Sequence, residues 1–253
     1  MTPKVSIITP SYNSSEFIEE TIKSVLDQTF QDWEWLITDD KSSDNTAEII
    51  RKYNDPRIKL QVLEQNGGAG NARNKSLERA VGRYIAFLDS DDLWYPEYLE
   101  TMIGFMEEKK VELAYCSYSR CDEHTMEPIL KDFKADTIVT FSNLLETCRL
   151  APVSTIYDTK RVGKFLFPIK SKREDHVMWL NLLKVIPKGY PVEKTLAKYR
   201  MREGSVSRKK KDIIKDQYLV YREFMGFSVV KSLYYTCLWA VNGFMKYSKW
   251  FKG

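Results

Sequence analysis

Four short apolar runs, each ending in polar or acidic residues and separated by helical patterns, limit what this chain can fold into. KVSIIT (4–9), WEWLIT (33–38), IKLQVL (58–63) and RYIAFL (83–88) are rich in β-branched and aromatic residues. Residues 14–28 place Phe17, Ile18, Ile22, Val25 and Leu26 on one helical face, and residues 46–53 and 71–81 carry two further helical patterns. Asn13 and Glu16 match a capping box ahead of the first helix. Strands alternating with helices of this length predict a parallel sheet covered on both faces. Ligands bind such sheets beyond the carboxyl ends of the strands. Here those ends read Thr9-Pro10-Ser11-Tyr12, Asp39-Asp40 and Asp89-Ser90-Asp91-Asp92. Solvated turns explain three polar ends on one rim less well than they explain any one alone.

The second half is less regular. Residues 96–110 read as a helix with Pro96 in its first turn, ELAYCSY (112–118) as a strand, 173–185 as a helix and KTLAKYRM (194–201) as a strand. Between 120 and 172 the pattern weakens. A length of 253 residues fits one large domain, or one with a small appendage, and 43% hydrophobic residues suffice for a substantial core. The four cysteines form no zinc-like spacing and read as reduced core thiols of a cytoplasmic protein with no signal peptide. From Glu203 onward ten basic and four acidic residues give +6, leaving 29 basic against 31 acidic, or −2, for the rest. That split suggests a surface partner for the tail and no nucleic-acid-binding core.

Gly67-Gly68-Ala69-Gly70 fails the dinucleotide fingerprint, because Arg73 stands at its third glycine and the stretch follows the third strand. No phosphate-binding G-x-x-x-x-G-K-[ST] loop exists. The acidic cluster is no EF-hand either, since Leu93 and Trp94 occupy its fifth and sixth positions. What remains is Asp-x-Asp at the end of a buried strand. Two carboxylates there can hold one divalent cation beside a diphosphate.

The stretches VSIITPSYNSSEFIEETIKSVLDQTFQDWEWLITDDKSSDNT and GGAGNARNKSLERAVGRYIAFLDSDD closely resemble the family-2 glycosyltransferases, inverting enzymes of the GT-A fold. The likeness runs over about residues 4–208. It implies an α/β fold with a Rossmann-like, mostly parallel central sheet, flanking helices and a C-terminal helical tail. By the same resemblance 1–95 is the nucleotide-binding half and 96–208 the acceptor half, with 209–253 the tail. Pro10, Tyr12, Asp40, Arg73 and Asp89 would form the nucleotide site. Tyr12 would stack on the base, Asp40 accept from uracil, and Asp89 face ribose and sugar. Asp91 would coordinate Mn²⁺ or Mg²⁺, and Asp175 of the Glu174-Asp175 pair would be the catalytic base. Asp92, Trp94, Glu174, His176 and Arg202 are further candidates for donor or acceptor contact.

General-base chemistry suits a carboxylate near an attacking hydroxyl, although acidic residues are also favoured at helix N-termini such as that of residues 173–185. Lys41 replaces the glycine of the family's V-D-D-G-S-x-D, a departure expected to leave the base pocket intact. In YRMREGSVS (199–207) Arg202 stands where histidine is frequent. Arginine cannot ligate metal but can contact a diphosphate, and an ordinary surface charge explains it equally well. His176 either orients acceptor or caps a helix, and His124 reads as a loop residue. A sugar-nucleotide pyrophosphorylase would want a glycine-rich turn after the first strand, which Pro10-Ser11-Tyr12-Asn13 lacks. A non-catalytic nucleotide-sugar-binding scaffold would have no use for intact Asp91 and Asp175.

In the tail, Phe227, Val230, Tyr234, Leu238, Val241 and Met245 follow helical spacing, and the uncharged run 232–245 is too short to span a membrane. Flanking Lys231, Lys246, Lys249 and Lys252, with Trp239 and Trp250, suit an interfacial helix on anionic lipid. Packing on the catalytic domain or a second subunit is the alternative. The tail also resembles that of enzymes that build teichuronic acid and O-antigen repeats on a lipid carrier. The resemblance implies a UDP-sugar donor, a saccharide or lipid-linked acceptor, and a place at the inner face of the plasma membrane. Oligomeric state stays open.

Overall fold

The computed structural model describes residues 2–202 and 210–250, and their side chains except at 210–212 and 245–250. β1 (Val5–Ser11) and β2 (Trp33–Asp39) are buried along their whole length, as central strands of a parallel sheet covered on both faces are. β3 (Ile58–Val62) flanks β2, and β4 (Tyr84–Phe87) lies on the other side of β1, all four strands parallel. The crossovers are α1 (Ile18–Leu26), α2 (Thr46–Arg51) and α3 (Ala69–Arg79).

Helix α1 starts later than its sequence pattern suggests. Asn13 adopts φ +46 and its side-chain oxygen accepts from the Ser43 amide (2.9 Å), so it ties two loops together instead of capping the helix. The N-cap position falls to Phe17, which makes no side-chain cap.

Beyond β4 the chain adds β5 (Leu93–Trp94), α4 (Tyr98–Lys109), β6 (Leu113–Asp122), β7 (Pro128–Phe133) and α5 (Phe141–Glu146). Next come β8 (Thr155–Asp158), α6 (Thr159–Val162), α7 (Glu174–Leu183) and β9 (Tyr190–Met201). The sheet order is β3-β2-β1-β4-β8-β6-β9-β5, with β7 on the side of β6. β8 comes from the stretch of weak pattern and inserts antiparallel between β4 and β6. β6 and β9 are parallel, while β5 runs antiparallel to β9. That last pairing draws the end of β9 over the loop after β4.

One core, beneath α1 and α4, contains Ile18, Ile22, Val25, Leu99, Met102 and Ile103. The other gathers Phe87, Phe167 and Trp179, with ring centroids 5.4 and 5.5 Å from Phe87, both edge-to-face. These contacts fix α7 against β4, and truncating a buried Trp such as Trp179 to alanine costs about 3–5 kcal/mol. Cys116 and Cys121 are buried as expected of core thiols, but Cys148 is half-buried and Cys237 exposed.

The tail is not a detached appendage. It forms α8 (Lys210–Leu219), a π-helical turn (Val220–Phe224) and α9 (Val229–Trp250), and Gln217, Val220 and Tyr221 are fully buried in the second core. Phe227 precedes α9, so the apolar stripe read from it is interrupted. α9 turns Ser232 and Thr236 inward and leaves Val229, Val230, Leu233, Tyr234, Val241 and Phe244 exposed. The side chains of Met245, Lys246, Lys249 and Trp250, and all of Lys252, lie outside the described residues.

Candidate active site

At the ends of β1 and β2, Ser11 pairs with Asp39 and the Asp40 amide donates to the Ser11 carbonyl (2.8 Å). Pro10 sits buried in β1, beyond the last β1–β4 pair at Ile8 and Phe87, where its missing N–H leaves no β4 partner unmet. Tyr12 follows, half exposed on the rim. Asp39 is structural: it accepts from Ser11 Oγ (3.0 Å), Ser42 Oγ (2.6 Å) and the Ser42 amide (2.9 Å). Lys41, at the family's glycine position, adopts φ +63, a conformation that costs a residue with a Cβ roughly 1–2 kcal/mol.

Asp40 is buried, and its two carboxylate oxygens accept from the amides of Gly67 (2.8 Å) and Gly68 (2.7 Å). A glycine is needed at 68, where φ is +85, whereas a Cβ on Gly67 would meet only the Asn71 side-chain nitrogen, at 2.5 Å, which could swing away. Two positions on, a Cβ at Gly70 would press to 3.2 Å on Glu174 Cγ, so this glycine lets α3 approach the start of α7.

Arg73 completes that approach. It is almost fully buried on α3 and donates to Asp89 (2.6 Å) and to Glu174 (3.2 Å). Burial opposes its charge, but Asp89 and then Glu174 outweigh burial and push its pKa up. Glu174 is itself pushed above the usual carboxylate range, first by burial, against the pull of Arg73. The guanidinium therefore bridges the acid after β4 and the acidic pair opening α7.

In the loop after β4, Asp91 pairs with Arg202 (3.0 Å). Burial, then Asp89, raises its pKa. Asp92 is buried and accepts from the Arg200 amide (2.8 Å), and burial with Asp91 and Asp89 raises its pKa well above the ordinary value. Asp92 thus anchors β9 from a buried position. Trp94 is also structural. Its indole N–H donates to the Val153 carbonyl (2.8 Å) and its ring stacks on Tyr98 at 4.1 Å. Among the described residues no three His, Cys, Asp or Glu side chains could together hold a metal. A magnesium-like cation, however, binds through one or two carboxylates plus substrate phosphates. The partly exposed Asp91 carboxylate fits that donor set.

On α7, Asp175 is half-buried and accepts from the His176 amide (2.7 Å), which orients its carboxylate at the helix N-terminus. His176 points the other way, into the core. Its Nε2 donates to the Leu144 carbonyl (3.0 Å), which leaves Nδ1 to accept from the Gln217 amide (3.1 Å). Burial, then Arg173, pulls its pKa down to about 4. It neither orients acceptor nor caps the helix. His124 lies in an exposed turn, 3.3 Å from Glu16.

Sequence reasoning overlooked Arg200, Glu20, Asn74 and Phe167. Arg200 is buried and donates to the Asp91 carbonyl (2.6 Å), to Glu20 (2.8 Å) and to the Glu123 carbonyl. Asn74 and the Phe167 backbone exchange two hydrogen bonds (2.7 and 2.8 Å) that hold the approach to α7. The Tyr-Arg step at 199–200 was the available signal for Arg200. Nothing local marks the other three.

A model of the family described as glycosyl transferase family 2 matches residues 6–160. TuaG of Bacillus subtilis (strain 168), which carries the name of a putative teichuronic acid biosynthesis glycosyltransferase, is 38% identical over 96% of this chain and 97% of its own. WfgD of Escherichia coli, named as a UDP-Glc:alpha-D-GlcNAc-diphosphoundecaprenol beta-1,3-glucosyltransferase, is 36% identical over 96% and 95%. Among solved structures, S. aureus TarS 1–349 in complex with UDP-GlcNAc superposes with a TM-score of 0.74 at 25% identity, covering 94% of this chain and 71% of that one. The mixed sheet and its flanking helices are the GT-A fold. The family match takes in Tyr12, Asp40, Arg73, Asp89 and Asp91, and the relatives span nearly the whole chain, so the protein belongs to glycosyl transferase family 2.

Proposed function

We propose that the protein transfers a sugar from a UDP-sugar to a hydroxyl of a lipid-linked saccharide in surface-polysaccharide synthesis, by metal-dependent inverting displacement. The observation that carries the reading is the Arg73 bridge, which ties the donor-side acid Asp89 to the acceptor-side pair Glu174-Asp175. The name of WfgD supplies the donor and acceptor classes, and TarS was solved with UDP-GlcNAc.

In this reading Tyr12 stacks on uracil. Asp40, held by two glycine amides, keeps lone pairs for the uracil N–H. Asp89 faces ribose and sugar. Asp175 removes the proton of the acceptor hydroxyl as its oxygen attacks the anomeric carbon. The bond from that carbon to the diphosphate oxygen breaks, its electron pair leaves with UDP, and the configuration inverts. Asp91 would hold Mn²⁺ or Mg²⁺, which when bound offsets the charge that develops on the leaving diphosphate.

The tail brings the site to its acceptor at the cytoplasmic face of the membrane. Among the described residues no helix is long and apolar enough to cross a membrane. The outward face of α9, with Val230 and Phe244 each more than three-quarters exposed, supports interfacial docking on anionic lipid beside Lys231. UDP release, measured across a panel of UDP-sugars with and without a lipid-diphosphate saccharide, tests the whole reading. One donor should give acceptor-dependent release. Release that ignores the acceptor for every donor would refute it.

A further inference from the structure

Three arginines meet the three carboxylates of Asp89-Ser90-Asp91-Asp92, and they are held very differently. Arg73 is buried and gripped by two acids. Arg200 is buried, with its guanidinium bound by Glu20 and two backbone carbonyls. Arg202 is about a third exposed (34%), and among the described residues its guanidinium has one carboxylate, that of Asp91. Among the described residues its guanidinium also lies over the ring of Phe17, 4.8 Å away, a ring it shares with Arg200 at 4.6 Å. A guanidinium stacked on a ring keeps that contact while it slides, because the attraction to the π face is broad.

Arg202 therefore places a partly exposed positive charge on the carboxylate that suits a divalent cation. A metal arriving alone would have to displace that arginine and leave two like-charged groups close together. An anionic diphosphate arriving with the metal removes the conflict, because the planar fork of arginine can move from carboxylate to phosphate.

We propose that Arg202 is a stand-in cation that occupies Asp91 until a nucleoside diphosphate arrives and then shifts to the diphosphate, making metal binding depend on nucleotide. This inference rests on the metal-dependent, UDP-sugar reading above.

Calorimetric titration of Mn²⁺ into the full-length protein, with and without UDP, tests it without turnover. Wild type should bind Mn²⁺ weakly alone and much more tightly with UDP. Arg202→Gln should bind Mn²⁺ alone roughly tenfold more tightly, since one charge-assisted hydrogen bond no longer competes. The enhancement by UDP should shrink by a comparable factor. Arg202→Lys, which keeps the charge without the fork, should fall between the two. If wild type and both variants bind Mn²⁺ equally, and UDP helps each equally, the role of Arg202 is refuted while the metal site stands. If wild type binds no Mn²⁺ even with UDP, the metal-dependent reading fails and takes this inference with it.

Discussion

Replacing His176 with glutamine should flatten the acid side of the protein's stability curve. The imidazole is fully buried and neutral, its Nε2 donating to Leu144 and its Nδ1 accepting from Gln217. Protonation would set a second cation near Arg173 and turn the Nδ1 acceptor into a donor facing an N–H group. In the folded state the ring titrates at about 4 instead of its ordinary 6.5. As pH falls below 6.5 the unfolded chain takes up this proton first, so folded-state stability present above 6.5 is lost progressively down to about 4. At about 1.4 kcal/mol per pH unit, that interval amounts to about 3 kcal/mol. His176→Gln cannot titrate there, so the difference between the two pH profiles isolates the imidazole. Urea unfolding from about pH 7.5 down to about pH 4 should show wild type losing about 3 kcal/mol more than the variant. Parallel pH profiles would refute the buried, neutral histidine and reopen a place for it in the acceptor site.

Other perturbations separate the remaining roles. Asp175→Asn keeps the shape of the side chain and removes the base, so turnover should fall about 10²–10⁴-fold with UDP affinity little changed in calorimetry. Arg73→Met strands Asp89 and Glu174. Chemical denaturation at neutral pH should show a loss of about 3 kcal/mol, the low end for a broken buried pair because both acids are partly exposed. The Glu174 pKa, already raised, should rise further, so the deficit should shrink as pH falls below that pKa, where the folded carboxyl is neutral. Val230→Asp with Phe244→Asp on α9 should weaken flotation with phosphatidylglycerol vesicles more than tenfold, from two lost apolar burials of about 1.5–3 kcal/mol each. Its unfolding free energy should move by no more than about 1 kcal/mol, since both positions are exposed.

The parallel half of the sheet was legible because β1, β2 and β4 are short, largely apolar, β-rich runs separated by helical patterns, and their parallel pairing brings their polar ends to one rim. β8 was not, since the four residues of Thr155–Asp158 are too few to show a period. Within the site, residue type was easier to read than direction. Asp175 and His176 are neighbours in sequence, but about 100° of helix separates them, which leaves one at the surface and the other in the core. Leu93 and Trp94 point to opposite faces of β5 for the analogous reason, and Trp94 takes the buried one. Asp40 and Arg73 could be named from the sequence as candidates for the nucleotide site. Their partners, the glycine amides and Glu174, depend on how loops far apart in sequence fold together. The tail's burial at Gln217, Val220 and Tyr221 was hidden for the same reason.

The stereochemistry and metal dependence of a single transfer test the central claim most directly. With an α-linked UDP-hexose as donor and a lipid-diphosphate saccharide as acceptor, NMR of the product's anomeric proton reads the outcome. The account predicts a β-linked product, formed with Mn²⁺ or Mg²⁺ and absent when the cation is chelated. An α-linked product, or transfer that proceeds unchanged under chelation, would contradict it.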